Sequence, residues 1–156
     1  MKPLESIIKI ANIHAKRLRY AIKQLKNKIP VSAETIADLP DEDVPIFELY
    51  ASRFSKLQDF MGASLFPAVL EASGEQTEEM TFLDKLHKLE KLNLIPSTAG
   101  WMSMRQVRNS LAHEYPDNPQ LMASFFNIAY GQGPILLMCL DKVLRFYEKL
   151  PEFPHE

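Results

Sequence analysis

Apolar residues recur along this chain at alternating steps of three and four, the pattern of helices that each bury one face. From Pro3 to Lys26 the seam is Leu4, Ile8, Ala11, Ala15, Leu18, Ile22 and Leu25. Pro3 suits a first helical turn, where the missing amide costs nothing. Residues 29–45 carry Pro30, Pro40 and Pro45 and read as a long connection. Asp43 is placed to cap a second helix, whose seam is Phe47, Tyr50, Phe54, Leu57 and Met61. Pro67 is expected to kink or end it, because proline removes a backbone donor and clashes with the preceding turn. Gly74 and its polar neighbours mark a loop.

A third helix starts near Thr81, with Asp84 as capping-box partner and Phe82, Leu86 and Leu89 on its apolar face. Pro96 bounds it. A fourth, capped by Ser97 or Thr98, buries Met104, Val107 and Leu111 and ends near Tyr115, since Pro116 disfavours helix at the residue before it. Asn118 and Pro119 start a fifth. Gly131-Gln132-Gly133-Pro134 is expected to interrupt it, and Leu136, Leu140, Val143, Tyr147 and Leu150 continue the seam. No strand-like alternation of useful length occurs. The expectation is an all-α, up-and-down bundle of about five helices, a single domain over residues 1–150 with a flexible tail over 151–156. The long seams of the first helix and the end of the fifth mark these as a central pair, and surplus apolar seam would bury itself in a homodimer.

Composition narrows the class. One cysteine, Cys139, excludes an intrachain disulfide framework and sits in an apolar run, where a buried inert thiol is expected. No basic flank precedes an apolar core at the N-terminus, and no uninterrupted apolar stretch approaches the ~20 residues that span a bilayer. These features read as a cytoplasmic protein without a membrane segment. The net charge of −2 does not by itself suggest a nucleic-acid binder. Its distribution is uneven: basic side chains crowd residues 1–28 and acids crowd residues 29–52, so the two segments either bind a polyanion or neutralise each other.

The chemistry concentrates in Arg108-Asn109-Ser110-Leu111-Ala112-His113-Glu114-Tyr115. Arginine offers phosphate a planar fork of donors, and histidine moves protons near neutral pH. On a helix turning about 100° per residue, Arg105, Asn109 and His113 stack in one stripe away from the buried face, placing His113 in the last turn. Arg108 stands about 140° from His113 on an ideal helix, so a complete site needs the long arginine to bend, the helix end to distort or a second chain to supply the partner. RNA cleavage needs no metal, because the 2′-hydroxyl attacks phosphorus. It needs a base, an acid and cations at the equatorial oxygens, roles that suit His113 and Arg108. Asn109 is a further phosphate donor and Arg105 an accessory contact. His14, His87 and His155 show no zinc-type spacing, and no cofactor is implied. Trp101, Met102 and Met104 read as core, His14 as a surface residue, and Arg53 and Gln58 as residues of a solvated face unless the cleft reaches them. Tyr115 reads from the residues alone as an aromatic packed on Pro116, the commoner fate of such a side chain.

Arginine, four residues, histidine, any residue, tyrosine is a pattern that resembles the motif of HEPN-domain proteins, specifically the HepT-like toxins of HEPN–MNT toxin–antitoxin pairs. Asn109 fits the polar position that follows the motif arginine. The resemblance implies a homodimeric helical bundle with two motifs facing one cleft, and a metal-independent endoribonuclease toxin of a type II/VII-like pair acting on RNA. It implies an MNT-type nucleotidyltransferase antitoxin as partner, which transfers AMP to the motif tyrosine, here Tyr115. Such a modification adds negative charge beside His113 and Arg108 and repels RNA. The alternative is a non-catalytic binding subunit of a minimal nucleotidyltransferase, which the acidic connection favours.

Overall fold

A computed structural model describes residues 4–113 and 115–151. The expectations for Pro3, Glu114 and the tail from Glu152 onward lie outside the described residues. The chain is an all-α bundle, with no strand among the described residues. Its helices are α1 (Leu4–Leu25), α2 (Ala33–Ala37), α3 (Val44–Phe60), α4 (Phe66–Ala72), α5 (Phe82–Lys91), α6 (Thr98–Leu111) and α7 (Pro119–Glu148). A π-helical turn, Met61–Leu65, joins α3 to α4, and a 3₁₀ turn, Thr77–Glu79, precedes α5.

In α1 the fully buried stripe is Ile7, Ala11, Ala15, Leu18, Ala21 and Leu25, while Leu4, Ile8 and Ile22 are only partly buried. The buried face is thus rotated toward Ile7 and Ala21. Its main partner is α3, not the end of α7, so the expected central pair is corrected. The alanines let α3 approach closely, where Tyr50, Phe54 and Leu57 fill the interface.

The expected 29–45 connection contains α2, capped by the Ser32 hydroxyl, which accepts from the Thr35 N–H at 3.1 Å. Five residues are too few to hold a helix alone. What holds this segment is Asn127 on α7. Its carboxamide accepts from the Val31 N–H at 2.8 Å and donates to the Val31 carbonyl at 3.0 Å. Asp43 stands at the N-cap position of α3 but makes no cap bond there. Its carboxylate pairs with Lys28 at 3.1 Å, linking the basic segment to the acidic one.

Pro67 neither ends nor isolates the second helix. The Phe66 N–H bonds the Met61 carbonyl five residues back, and Pro67 then sits in the first turn of α4, where its missing N–H is harmless. Gly74 closes α4 with φ 99°, a conformation suited to glycine. The capping box at α5 forms as expected. Asp84 accepts from the Thr81 N–H at 2.9 Å, and the Thr81 hydroxyl accepts from the Asp84 N–H at 3.1 Å.

The expected break in α7 does not occur. Pro134 has no N–H to give the Tyr130 carbonyl four residues earlier. The Tyr50 hydroxyl supplies a proton instead, shared between the Ala129 carbonyl at 2.6 Å and the Tyr130 carbonyl at 3.1 Å. Tyr50 is fully buried, which pushes its phenol well above the ordinary range and keeps it a donor. Gly133 makes the approach possible, since a Cβ there would collide with the Tyr50 oxygen. The Tyr130 hydroxyl in turn donates to the Ile22 carbonyl at 2.9 Å, satisfying an orphan carbonyl in the last turn of α1. One stretch read as a helix breaker is the joint between α3, α7 and α1. By length and composition α7 is a candidate to cross a membrane. Its buried face, including Phe126, Leu136, Leu140 and Val143, belongs to the core of the bundle. Cys139 lies in that face, where burial pushes its thiol up to about 11, so it is a protonated, unreactive group at neutral pH.

Candidate functional site at the end of helix α6

The motif is carried by α6, and α6 is fixed at both ends. At its start the Ser97 hydroxyl accepts from the Gly100 N–H at 2.8 Å. The Thr98 N–H donates to the Glu90 carboxylate, and the Thr98 hydroxyl lies 3.2 Å from His87 Nδ1, which ties α6 to α5. Trp101 is 1 % exposed and packs on Phe66 of α4 with ring centroids 4.7 Å apart. Met104 and Val107 are buried as expected, and Leu111 only partly.

Helix α6 ends at Leu111, earlier than the expected Tyr115. Ala112 is the C-cap, its N–H shared between the Arg108 and Asn109 carbonyls at 3.2 Å each, and the His113 N–H bonds the Ser110 carbonyl at 3.2 Å. Pro116 accounts for a stop by Tyr115, where the Asn118 N–H turns back onto the Tyr115 carbonyl at 3.0 Å, but the helix ends four residues sooner, and nothing in the structure explains that difference. His113 therefore lies beyond the helix. The stripe of Arg105, Asn109 and His113 expected from an unbroken helix holds only as far as Asn109.

Arg108 turns toward α3. Its Nη1 donates to Asp59 Oδ1 at 2.8 Å and its Nη2 to Asn109 Oδ1 at 2.9 Å, so Asn109 accepts from Arg108 and helps to orient it. The Arg108 side chain is 16 % exposed but that of Asp59 is 71 % exposed. A pair this open contributes only about 0–1 kcal/mol, little enough for a phosphate to displace the carboxylate. Two of the five N–H donors of the guanidinium are committed in this way.

Arg105 stands over the Phe82 ring, 5.0 Å from its centroid, a cation–π contact between α6 and α5. Arg105 and Arg108 share a pocket of about 130 Å³ with Asp59, Gln58, Phe82 and Trp101. Gln58, read as a solvated-face residue, is corrected here: it is 2 % exposed and reaches the cleft. Its spacing carried the signal, since it lies four residues after Phe54 and three before Met61, within the apolar seam of α3. Asp59 had no such signal, because only the tertiary crossing of α3 and α6 gives it a role.

His113 is exposed and lines a different pocket, of about 190 Å³, with Tyr115, Glu48 and Ser110 on an otherwise apolar wall that includes Phe47 and Met122. The His113 and Tyr115 rings meet edge to face at 6.5 Å, and Tyr115 packs on Phe125 at 5.7 Å. On α3 the two sites are marked by Asp59 and Glu48, separated by about 16 Å of helix. One chain thus brings Arg105, Arg108 and Asn109 together, and His113 with Tyr115, but does not bring the two groups onto one point. Among the described residues no three His, Cys, Asp or Glu side chains cluster as metal ligands would.

His14 lies apart from both pockets. It is partly buried rather than fully on the surface, with Nδ1 3.0 Å from Arg53 Nη1 and its ring 6.1 Å from Phe60. A nitrogen that accepts from a guanidinium must be unprotonated. Burial first, and the charges of Arg53 and Lys56 next, hold its pKa below the ordinary 6.5. The unfolded chain therefore binds the proton at higher pH than the folded one. The stability contribution is complete above pH 6.5 and is lost as pH falls through the lower folded value. Urea midpoints measured at about pH 5 and about pH 8 are expected to differ less in His14→Gln than in the parent, because glutamine keeps an acceptor without the titration.

Compared with known proteins, the chain matches no family model, no curated protein and no solved structure.

Proposed function

We propose that this chain is a metal-independent RNA endonuclease, the toxin of a two-gene pair, whose catalytic site is completed between two copies. The observation that supports this reading is a phosphate-type subsite on α6 (Arg105, Arg108, Asn109) together with an exposed imidazole, His113, just past the end of the same helix, in a separate pocket. The 2′-hydroxyl of RNA attacks the adjacent phosphorus, forming a 2′,3′-cyclic phosphate and expelling the 5′-oxygen. His113 serves the proton transfers, and Arg108 stabilises the charge on the non-bridging oxygens after releasing Asp59. Because Arg108 and His113 diverge within a chain, Arg108 of one subunit works with His113 of the other in a symmetric dimer. Tyr115, at the rim beside His113, is the acceptor for AMP transfer by an MNT-type nucleotidyltransferase; the added phosphate repels the RNA backbone from the site.

Purified protein incubated with RNA in a chelator is expected to release fragments ending in 2′,3′-cyclic phosphate. Intact RNA under these conditions overturns the ribonuclease reading. The closure of Arg108 by Asp59 favours a second reading, a non-catalytic subunit that binds a minimal nucleotidyltransferase. That reading predicts intact RNA together with stable co-purification of the product of the adjacent reading frame.

A further inference from the structure

The basic and acidic segments of the chain either neutralise each other or leave the bases open to a polyanion, and the fold distinguishes the two. Among the described residues only Lys28 pairs with the acidic segment, through Asp43. Lys9, Lys16, Arg17, Arg19 and Lys23 of α1 are exposed, and among the described residues none of them pairs with a carboxylate. Glu5, in the first turn, is the only acid of α1. A merely solvated helix face gains from mixed signs, as Asp141 and Arg145 do on α7. On α1, Lys16 and Arg19 three apart and Arg19 and Lys23 four apart are like charges on neighbouring turns, which costs helix stability. Only Lys23 lies in the last turn, where the helix dipole favours a cation. A bound polyanion removes the repulsion.

Lys9, Lys16 and Lys23 follow one another at steps of two turns, so they form a line about 21 Å long on one side of the helix. The other side, from Ile7 to Leu25, is buried in the bundle and fixes the backbone that carries this line. Tyr20, 54 % exposed, stands between Lys16 and Lys23 and offers a ring face. The cationic surface continues onto α3. Arg53 Nη1 lies 3.0 Å from His14 Nδ1, and the exposed Lys56 is close enough for its charge to act on His14. Lys56 is one turn before Asp59, the residue that holds Arg108. An anionic membrane needs apolar side chains free to enter it, and α1 leaves only Ile13 and Tyr20 outside. A single-stranded nucleic acid supplies what this face offers to bind, a row of phosphates and bases that stack on an aromatic ring. We propose that the solvent face of α1 binds the backbone of single-stranded RNA and directs the strand over α3 toward Arg108. The surface deepens the ribonuclease reading and rests on it for the choice of RNA among nucleic acids.

Binding is measured on the full chain by fluorescence anisotropy with a labelled single-stranded 2′-O-methyl RNA, which has no free 2′-hydroxyl to attack phosphorus. Saturable binding is expected, with the logarithm of the affinity falling against the logarithm of salt at a slope of about −3, the value for about four neutralised phosphates on a single strand. Lys16→Ala combined with Lys23→Ala is expected to weaken binding about tenfold and to make the slope shallower by about 1.4. Tyr20→Ala is expected to weaken it about fivefold or more with the slope unchanged, since stacking releases no counterions. All three side chains are exposed, so melting temperatures should hold. Lys91→Ala combined with Lys149→Ala, a pair of exposed lysines off α1, is expected to bind as the parent does. The proposal is overturned if the RNA does not bind saturably, if the Lys16 and Lys23 pair binds as tightly as the parent, or if the Lys91 and Lys149 pair weakens binding as much. Polyglutamate or phosphatidylserine vesicles binding as tightly as the RNA also overturn it, in favour of an acidic protein or a membrane. Cleavage of ordinary RNA without binding that depends on α1 removes this surface alone, and such binding without cleavage removes the ribonuclease reading alone.

Discussion

Replacing His113 by alanine is expected to lower RNA cleavage by about 10²- to 10⁴-fold, the range that a positioned proton donor or acceptor contributes. His113 is exposed and lies beyond the last turn of α6, with its backbone N–H bonded to the Ser110 carbonyl and its ring edge to face with Tyr115. Its removal leaves no buried partner unsatisfied, so the folded state should be nearly unaffected, within about 0.5 kcal/mol for a surface substitution. Activity lost at unchanged melting temperature is therefore the expected signature, read by a cleavage time course beside a thermal melt. Equal cleavage by parent and variant rules out a catalytic role for the imidazole.

The largest effect on stability is expected at Tyr50. Tyr50→Phe keeps the ring and deletes the hydroxyl, leaving the Tyr130 carbonyl opposite Pro134 without a donor in the core, at a cost of about 1–3 kcal/mol. Tyr50→Ala adds a cavity beside Phe54, Phe126 and Tyr130, and aromatic-to-alanine changes alone cost about 3–5 kcal/mol. Since a typical domain has only about 5–15 kcal/mol to lose, Tyr50→Ala should lower the urea midpoint severely and Tyr50→Phe moderately. Gly133→Ala probes the same joint from α7. Alanine gains about 1 kcal/mol of helix propensity over glycine, but crowding a buried rigid ring costs about 1–3 kcal/mol, so net destabilisation is expected. A Gly133→Ala variant more stable than the parent contradicts the close approach of Tyr50.

Local periodicity carried most of this fold. The seams of α1, α3, α5 and α6, the capping box at Thr81 and the Asn118-Pro119 start of α7 were all legible, because each depends on residues within two turns of one another. Two of the misreadings share one cause, a distant partner that reverses a local preference. Gly131 to Pro134 reads as a break until Tyr50, about 80 residues earlier, supplies the missing proton. Residues 33–37 read as loop until Asn127 clamps Val31. Gln58 reads as polar surface unless its place in the apolar seam outweighs its side chain. Within the motif, the residue types were visible but the helix end at Leu111 was not, and that end decides where His113 goes.

That placement also explains why Arg108 and His113 do not meet in one chain, and a composite site is tested most directly by mixing variants. Arg108→Ala and His113→Ala homodimers are each expected to be inactive. When they are exchanged in equal amounts, half of the dimers pair one copy of each, and each mixed dimer holds one site with both residues intact. Recovery of about a quarter of the parent's cleavage rate is the expected result for a symmetric dimer with two sites. No recovery, with subunit exchange verified by a mass-tagged copy, contradicts a site shared between subunits.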